Sequence, residues 1–394
     1  MDSTLRRTWA EINLDNLTHN FETIRRAVGP EAKLLGVVKA DAYGHGAVRV
    51  AKHLQKLGAA YLAVSNIDEC EELRKNGVAL PILMLGFTPA DQARRILKND
   101  MTQAVQSYEI AKVFSDAAVE LGKKMKVHVK LDTGMGRLGF QCDEAHFDTS
   151  LHDILALLKL PGLDVEGVFT HFCVSDEDAP ECVAFTKIQH ERFVRMIDAV
   201  ETQGGFKFRL HHCCNAGGIA SYPEWAWDMV RCGIILYGSG DLAEKMGMRP
   251  VMSLKTCVST VKDFAAGEPI SYGRTYFTQR PSRIAVLPIG YADGLHRALS
   301  NKIEVLTPYG RAKQVGRICM DMCMIDVTDL PQIKSGDEVE IFGEHILCAD
   351  DAALCDTIPY ELLCAVSKRV PRVYRLNGAL VDKNLQPLSE KHTV

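Results

Sequence analysis

Through its first 240 residues the chain repeats one device: a short β-rich apolar run, a turn, then a stretch with helical periodicity. The runs are GVVKA (36–40), YLAVS (61–65), PILMLG (81–86), TQAVQS (102–107), KVHVKLD (126–132), VEGVFTHF (165–172), FRLHHCC (208–214) and VRCGIILYG (230–238). Most gaps between these eight carry helix-like patterns, such as GAVRVAKHLQKLG and SYEIAKVFSDAAVELGKK. Strands alternating with helices imply a parallel sheet, because parallel neighbours need a long crossover. Eight units over about 230 residues match a closed (β/α)8 TIM barrel, with a doubly wound open sheet as the alternative the pattern leaves open. Asp15, ahead of NLTHNFETIRRAV, is the expected N-cap of a helix before the first barrel strand.

After about residue 245 the texture changes. VMSLKTCVSTVKDF, RIAVLPIG, IEVLTPYG, CMIDV and DEVEIFGE read as short strands between Gly, Pro and Asp turns, and only DAALCDTIPYELLCAVSKR suggests a helix. A length of 394 residues has room for two domains. The expectation is therefore a barrel over 10–245 and a mostly antiparallel β domain over 246–394, with residues 1–9 packing on the latter.

Composition narrows the function. A net charge of −4 without a basic block argues against a nucleic-acid partner, and no run approaches the roughly 18 apolar residues of a membrane span. The N-terminal MDSTLRRTWAEINLDNL lacks the apolar centre of a signal peptide. Thirteen cysteines, an odd number scattered through strands and helices, read as core thiols of a reduced, cytoplasmic protein.

Catalytic groups of a barrel come from the C-terminal ends of its strands. Lys39 ends the first run, where desolvation can strip an amine of its proton and leave it able to attack an aldehyde. Tyr43, Gly44 and Gly46 follow, offering a hydroxyl and close backbone approach. Lys130 and Asp132 lead into TGMGRLG, which carries Arg137; the sixth strand ends in His171, the seventh reaches Asn215, and Arg231 opens the eighth ahead of Gly233 and Ile234. Each alone reads equally well as a core or surface residue, but all converge on one barrel mouth. HHCC (211–214) is a weak metal candidate, because adjacent strand residues face opposite ways and no C-x2-C partner exists; no metal is expected. Neither a P-loop nor a dinucleotide fingerprint occurs.

VVKADAYGHG resembles the cofactor-binding signature of the alanine racemases, isomerases that use pyridoxal phosphate (PLP) and combine a barrel with a β domain. KLDTGMGRLGF, THF, ISYGRTY, LPIGYADG, VGRICMDM and YELLCAVSKRVPRVY resemble further family blocks in family order, from about Trp9 to Tyr374. The resemblance implies that Lys39 holds PLP covalently. Tyr43, Tyr360 and the amides near Gly233 and Ile234 would hold its phosphate, with His171 and Asn215 lining the pocket and Arg231 facing the pyridine nitrogen. It also implies a homodimer with shared sites, Tyr272 being the second catalytic residue contributed across the interface. Arg137, Tyr291 and the Met320 backbone would receive the amino-acid substrate, and Lys130 matches a lysine often carboxylated in the family. One departure is Ala216, where the family often has a serine after the asparagine; a lost neutral hydrogen bond is worth about 0.5–1.5 kcal/mol.

The implied chemistry interconverts L- and D-alanine by two bases on opposite faces of the substrate carbon, Lys39 and Tyr272. A phenol, with an ordinary pKa of about 10, needs a cationic neighbour to act as a base. A serine or broader-specificity racemase and a non-catalytic PLP carrier stay open as alternatives. So do both physiological directions, D-alanine supply for a cell wall and D-alanine consumption.

Overall fold

The computed structural model describes residues 7–381. The chain divides into two compact units, one made of Phe21–Ala42 and Val50–Gly233, the other of the described residues up to Asn20, Tyr43–Arg49 and those from Ile234 onward. Neither is one continuous stretch. Two sets of bonds explain the interruptions. Asn20 donates to Leu236 O (3.0 Å) and Arg249 O (2.8 Å), while Gly44 O and His45 O accept from Arg372 Nε (2.9 Å) and the Tyr374 hydroxyl (3.0 Å).

The first unit is the (β/α)8 barrel. Its parallel strands are β2 (Lys33–Val37), β3 (Tyr61–Val64), β4 (Ile82–Met84), β5 (Met101–Val105), β6 (Met125–Asp132), β8 (Leu163–Phe169), β9 (Leu210–His212) and β10 (Met229–Cys232); a two-residue strand, β7 (Phe140–Gln141), pairs with the end of β6. They neighbour one another in chain order, β10 returns to pair with β2, and the Arg231 N–H donates to Cys214 O at 3.0 Å beside β9. Every residue of β3, β4 and β5 is buried, as parallel strands covered on both faces require. All eight expected strands are present, but only β6 reaches the end of its run and the other seven stop early. β2 ends at Val37 because the backbone turns left-handed after Lys39; β8 ends at Phe169, two residues before His171. β10 ends at Cys232, ahead of a 3-10 turn over Ile234–Tyr237, so Arg231 is its third residue and not its opening one.

The second unit is built on a ten-stranded sheet. Its strands are β1 (Thr8–Asn13), β11 (Met252–Cys257), β12 (Thr260–Phe264), β15 (Ser282–Leu287), β16 (Glu304–Thr307), β17 (Gly310–Gln314), β18 (Cys323–Asp326), β19 (Glu338–Phe342), β20 (Arg372–Leu376) and β21 (Ala379–Val381). A separate hairpin joins β13 (Pro269–Ile270) to β14 (Tyr276–Phe277). All ladders in the large sheet are antiparallel except β1 with β20. Of the N-terminal residues expected on this sheet, Thr8 and Trp9 pair with β11, and 1–6 lie outside the described residues. Asn13, not Asp15, caps the helix Leu14–Val28: its Oδ1 accepts from the N–H groups of Asp15 (3.0 Å) and Asn16 (3.1 Å), whereas Asp15 accepts from Asn377 and Gly378. The expected C-terminal helix is two, Cys348–Leu354 and Pro359–Ala365, because Ile358 before a proline is held extended. Among the described residues no helix is long and apolar enough to cross a membrane.

Candidate active site

Lys39 sits two residues past β2, half-buried, at the start of an unusual turn. Ala40, Asp41, Ala42 and Tyr43 have φ of 51°, 54°, 54° and 52°, one turn of left-handed backbone. L-residues pay about 1–2 kcal/mol each for this conformation, so something must hold it. Glu69 does: its carboxylate accepts from the N–H groups of Ala40 and Ser65, both at 2.7 Å, tying the turn to the loop after β3.

Other barrel residues gather at the same strand ends. The Asp132 carboxylate, at the end of β6, accepts from the N–H groups of Gly134, Gly136 and Arg137 at 3.0 Å each and so folds the loop that carries Arg137. Arg231 is buried, and burial pulls its pKa down to about 10, which leaves it a cation at neutral pH. Its Nη1 donates to His212 O (3.0 Å), and its Nη2 to Thr170 O (2.7 Å) and Cys213 O (2.9 Å), with His171 Nδ1 at 3.4 Å. Burial, then the charges of Arg231, Lys130, Arg137 and Lys39, holds His171 neutral, well below an ordinary imidazole. Burial, then Arg231 and Arg137, pushes the Lys130 amine well below an ordinary lysine, with its Nζ 4.6 Å over the Phe169 ring. Asn215 caps the helix Ala216–Ser221 through Gly218 N–H (3.0 Å), donates to Phe172 O (2.9 Å) and accepts from the Ser175 hydroxyl (2.9 Å). Four cationic side chains thus converge on one neutral imidazole, an electrostatic setting for an anionic ligand.

The remaining candidates belong to the β unit. Tyr43 and Tyr360 pack edge to face, ring centroids 5.8 Å apart, and Tyr43 also packs on Tyr237 at 5.1 Å. Burial, then Tyr360 and Cys364, raises the Tyr43 hydroxyl well above an ordinary phenol, so it stays a neutral donor. Gly44 lets the chain press against the helix bearing Tyr360: a Cβ there would lie 2.2 Å from Leu363 O. Tyr272 projects from a tight turn, 71% exposed, onto a groove of about 760 Å³ whose wall includes Met320 and Met322. The Arg317 guanidinium lies against the next residue, 3.1 Å from a Cβ built on Gly273, and Arg317 O accepts from Ser271 Oγ at 2.6 Å. The Tyr291 and Met320 loops are stitched by Tyr291 N–H to Cys319 O and Ala292 N–H to Met320 O, both 3.0 Å.

Residues 12–241 match the model of the alanine racemase N-terminal domain, and 251–374 that of its C-terminal domain. This chain belongs to the alanine racemase family. It is 44% identical over 389 residues to alanine racemase 2 of Caldanaerobacter subterraneus subsp. tengcongensis, covering 97% of this chain and 98% of that one. To the alanine racemase of Desulfovibrio desulfuricans it is 46% identical over 374 residues, covering 94% and 98%. Among solved structures, alanine racemase of Clostridium difficile 630 superposes with a TM-score of 0.90 at 43% identity, covering 95% of this chain and 97% of that one. A complex of that enzyme with cycloserine gives 0.87 at 42% identity, covering 95% and 97%.

Several residues of this racemase escaped the sequence reading. Arg317 is the cation beside the turn of Tyr272, hidden because its nearness depends on a β-unit turn and not on a motif. Glu69 lies on the helix Ile67–Lys75, capped by Asn66, and only the fold aims its carboxylate at Ala40. In HHCC, His211 bonds outward to Asp228 at 2.7 Å, while His212 turns into the barrel, onto Arg231 and against Phe169.

Proposed function

We propose that this isomerase interconverts L- and D-alanine with PLP, exchanging the α-proton between Lys39 and Tyr272 of the partner subunit. Bound PLP would supply the electron sink that makes the α-proton removable. The residues present suit such a group: an amine past β2, hydroxyls from Tyr43 and Tyr360, backbone amides at Gly233 and Ile234, a neutral His171, and Arg231 as a donor that keeps its own proton. Lys39 takes or returns the proton on one face, and Tyr272 of the partner subunit on the other. Arg317 provides the cation a phenol needs to serve as a base. Arg137, Tyr291 and the Met320 N–H receive the substrate carboxylate, and Asn215 shapes the pocket wall. The exposure of Tyr272 and Met320 on an open groove supports the homodimer in this reading. Buried thiols such as Cys70, Cys142 and Cys232 fit a reducing cytoplasm.

The Lys130 amine, pushed well below an ordinary lysine by burial and then by Arg231 and Arg137, favours one covalent change. Its amine attacks carbon dioxide, an N–C bond forms, and the displaced proton leaves to solvent, giving an anionic carbamate to face Arg137. A carbon-13 bicarbonate signal in the wild type that Lys130→Ala removes is the expected result.

The observation that carries the function is the convergence of Lys39, Lys130, Arg137 and Arg231 on His171 in a chain of this family. With PLP and L-alanine, the protein is expected to form D-alanine. Lys39→Ala and Tyr272→Phe should each slow the reaction by about 10²-fold or more. Near-normal racemisation by either variant overturns the assignment.

A further inference from the structure

Beneath Arg231 the barrel interior holds a continuous line of buried polar groups. Arg231 Nη1 lies 3.1 Å from His212 Nδ1; His212 Nε2 lies 2.9 Å from His128 Nδ1; His128 Nε2 lies 3.2 Å from Glu166 Oε2. Tyr61 donates to the same carboxylate oxygen at 2.5 Å. Both histidines are fully buried, and Tyr61 opens β3, so the line runs from the strands' N-terminal ends toward the mouth.

Only one proton arrangement satisfies it. A guanidinium has donors and no acceptor, so His212 Nδ1 must accept. His212 then carries its proton on Nε2 and donates to His128 Nδ1, and His128 donates from Nε2 to Glu166. Both rings are neutral in this scheme. Burial, the largest influence on each, lowers both imidazoles from their ordinary value. Glu166 is the anionic end: the His128 hydrogen bond leads the influences that bring its pKa to about 2, against the opposing effect of burial. Two local features build the line. The ladder between β6 and β8 shifts register between Val127 and His128, leaving Glu166 as the extra residue, and a bulge re-aims a side chain in this way. Gly167 clears space for the ring: a Cβ there would lie 2.9 Å from His128 Nδ1 and Cε1.

Arg231 is thus a buried cation that no carboxylate reaches among the described residues, its terminal nitrogens spent on carbonyls and His212. Nε–H remains to face a ligand. We propose that His212, His128 and Glu166 act as positioning residues, a fixed-tautomer relay that orients Arg231 and tempers its strength as a donor toward a ring nitrogen at the barrel mouth. This rests on the assignment of Arg231 above. Removing the far anion makes Arg231 a stronger donor, so the ring draws more electron density and side reactions grow.

Nitrogen-15 NMR of histidine-labelled wild-type holoenzyme reads the tautomers directly. Two buried rings, assigned by loss of signal in His128→Gln and His212→Gln, should be neutral and Nε2-protonated from pH 6 to pH 8. A charged ring, or a proton on Nδ1 of either, overturns the relay. Glu166→Gln should raise the ratio of transamination to racemisation by about tenfold with KM for alanine unchanged, and Glu166→Asp should restore most of it. An unchanged ratio overturns the relay while Lys39→Ala still abolishes racemisation; racemisation surviving Lys39→Ala would instead overturn the underlying site.

Discussion

The barrel mouth and the rim of the β unit hold their chemistry in opposite ways. Arg231 and Lys130 are 3% and 8% exposed, whereas Tyr272, Met320 and Tyr291 are 71%, 53% and 44% exposed. In the barrel the side chains themselves are pinned, the terminal nitrogens of Arg231 spent on carbonyls and a ring nitrogen of its own unit. On the rim the backbone is pinned and the side chains stand free of the core. Asp293, buried, accepts from Gly290 N–H (3.0 Å) and Arg369 Nε (2.8 Å), and Arg369 also donates to Asp321 at 2.7 Å, bracing the loops of Tyr291 and Met320. A preorganised buried site couples function to stability; a braced but exposed rim separates them, as suits groups proposed to complete a site on another subunit.

The sharpest way to break that contrast is to remove one group from each. Arg231→Leu strands the carbonyls of Thr170 and Cys213 and takes one of two donors from His212 O, and each unsatisfied buried acceptor costs about 1–3 kcal/mol. Urea unfolding should show a loss of at least about 3 kcal/mol. Tyr272→Phe should change stability by less than about 0.5 kcal/mol despite its large effect on rate. Equal destabilisation of the two variants would end the distinction.

Acidity should separate the regions next, with opposite signs. His128, His171 and His212 are all held below the ordinary imidazole value of 6.5, so the unfolded chain binds more protons once pH drops below it. Their contribution is present above pH 6.5 and is lost on acidification, at up to about 1.4 kcal/mol per pH unit for each ring. In the β unit burial, then Asp350, raises Asp351 from 3.8 to about 7, and its Oδ2 is a buried atom with no hydrogen-bond partner. Its contribution is present below 3.8 and is lost as pH rises to about 7. Asp351→Asn is therefore expected to add about 2 kcal/mol at pH 8 and little at pH 4, whereas His212→Gln should flatten the acid limb. Chemical denaturation across pH measures both, and a parallel pH response from the two variants would refute the assignment of signs.

Glycines offer a smaller version of the same test within the β unit. Gly44 has φ 83°, and a Cβ built there would lie 2.2 Å from Leu363 O, a backbone atom that cannot yield. Gly273 has φ 72° and faces the end of Arg317, which can swing. Gly44→Ala should cost about 2 kcal/mol or more, and Gly273→Ala about 1 kcal/mol while lowering racemisation through the displaced guanidinium. Thermal melts of the two variants decide whether Gly44 is the costlier position.

What the sequence made legible follows the same line. Eight strands, the change of texture near residue 245 and the residues gathered on the strand ends were readable because apolar periodicity and strand-end polarity are local properties. Strand ends were misplaced at Lys39, His171 and Arg231, where four left-handed residues and a 3-10 turn are set by long-range packing. The cap was assigned to Asp15 instead of Asn13, since both are good cap residues two positions apart and only the sheet fixes which precedes the helix. Glu69, Arg317 and the Glu166 relay were invisible because each works through a partner distant in sequence, at 29, 44 and 38 residues' separation for Ala40, Gly273 and His128.

Glu69 is also where the contrast can be sharpened with the least disturbance. It is a brace in the barrel that resembles the rim: a partly exposed side chain holding strained backbone, with Lys39 at the edge of the turn it clasps. Both of its oxygens accept from main-chain N–H groups, so Glu69→Gln keeps one acceptor and aims a donor at the other N–H. The loss of one charge-assisted bond is worth about 1.5–3 kcal/mol where it is buried and nearer 1 kcal/mol at this exposure. Much of that cost should appear as release of the left-handed turn, because each of its residues gains about 1–2 kcal/mol on returning to ordinary backbone. The expected signature is a small fall in melting temperature with a five- to tenfold weaker PLP affinity, about 1 kcal/mol, read by equilibrium titration. A normal melting temperature with normal PLP affinity would show that the turn holds its shape without Glu69.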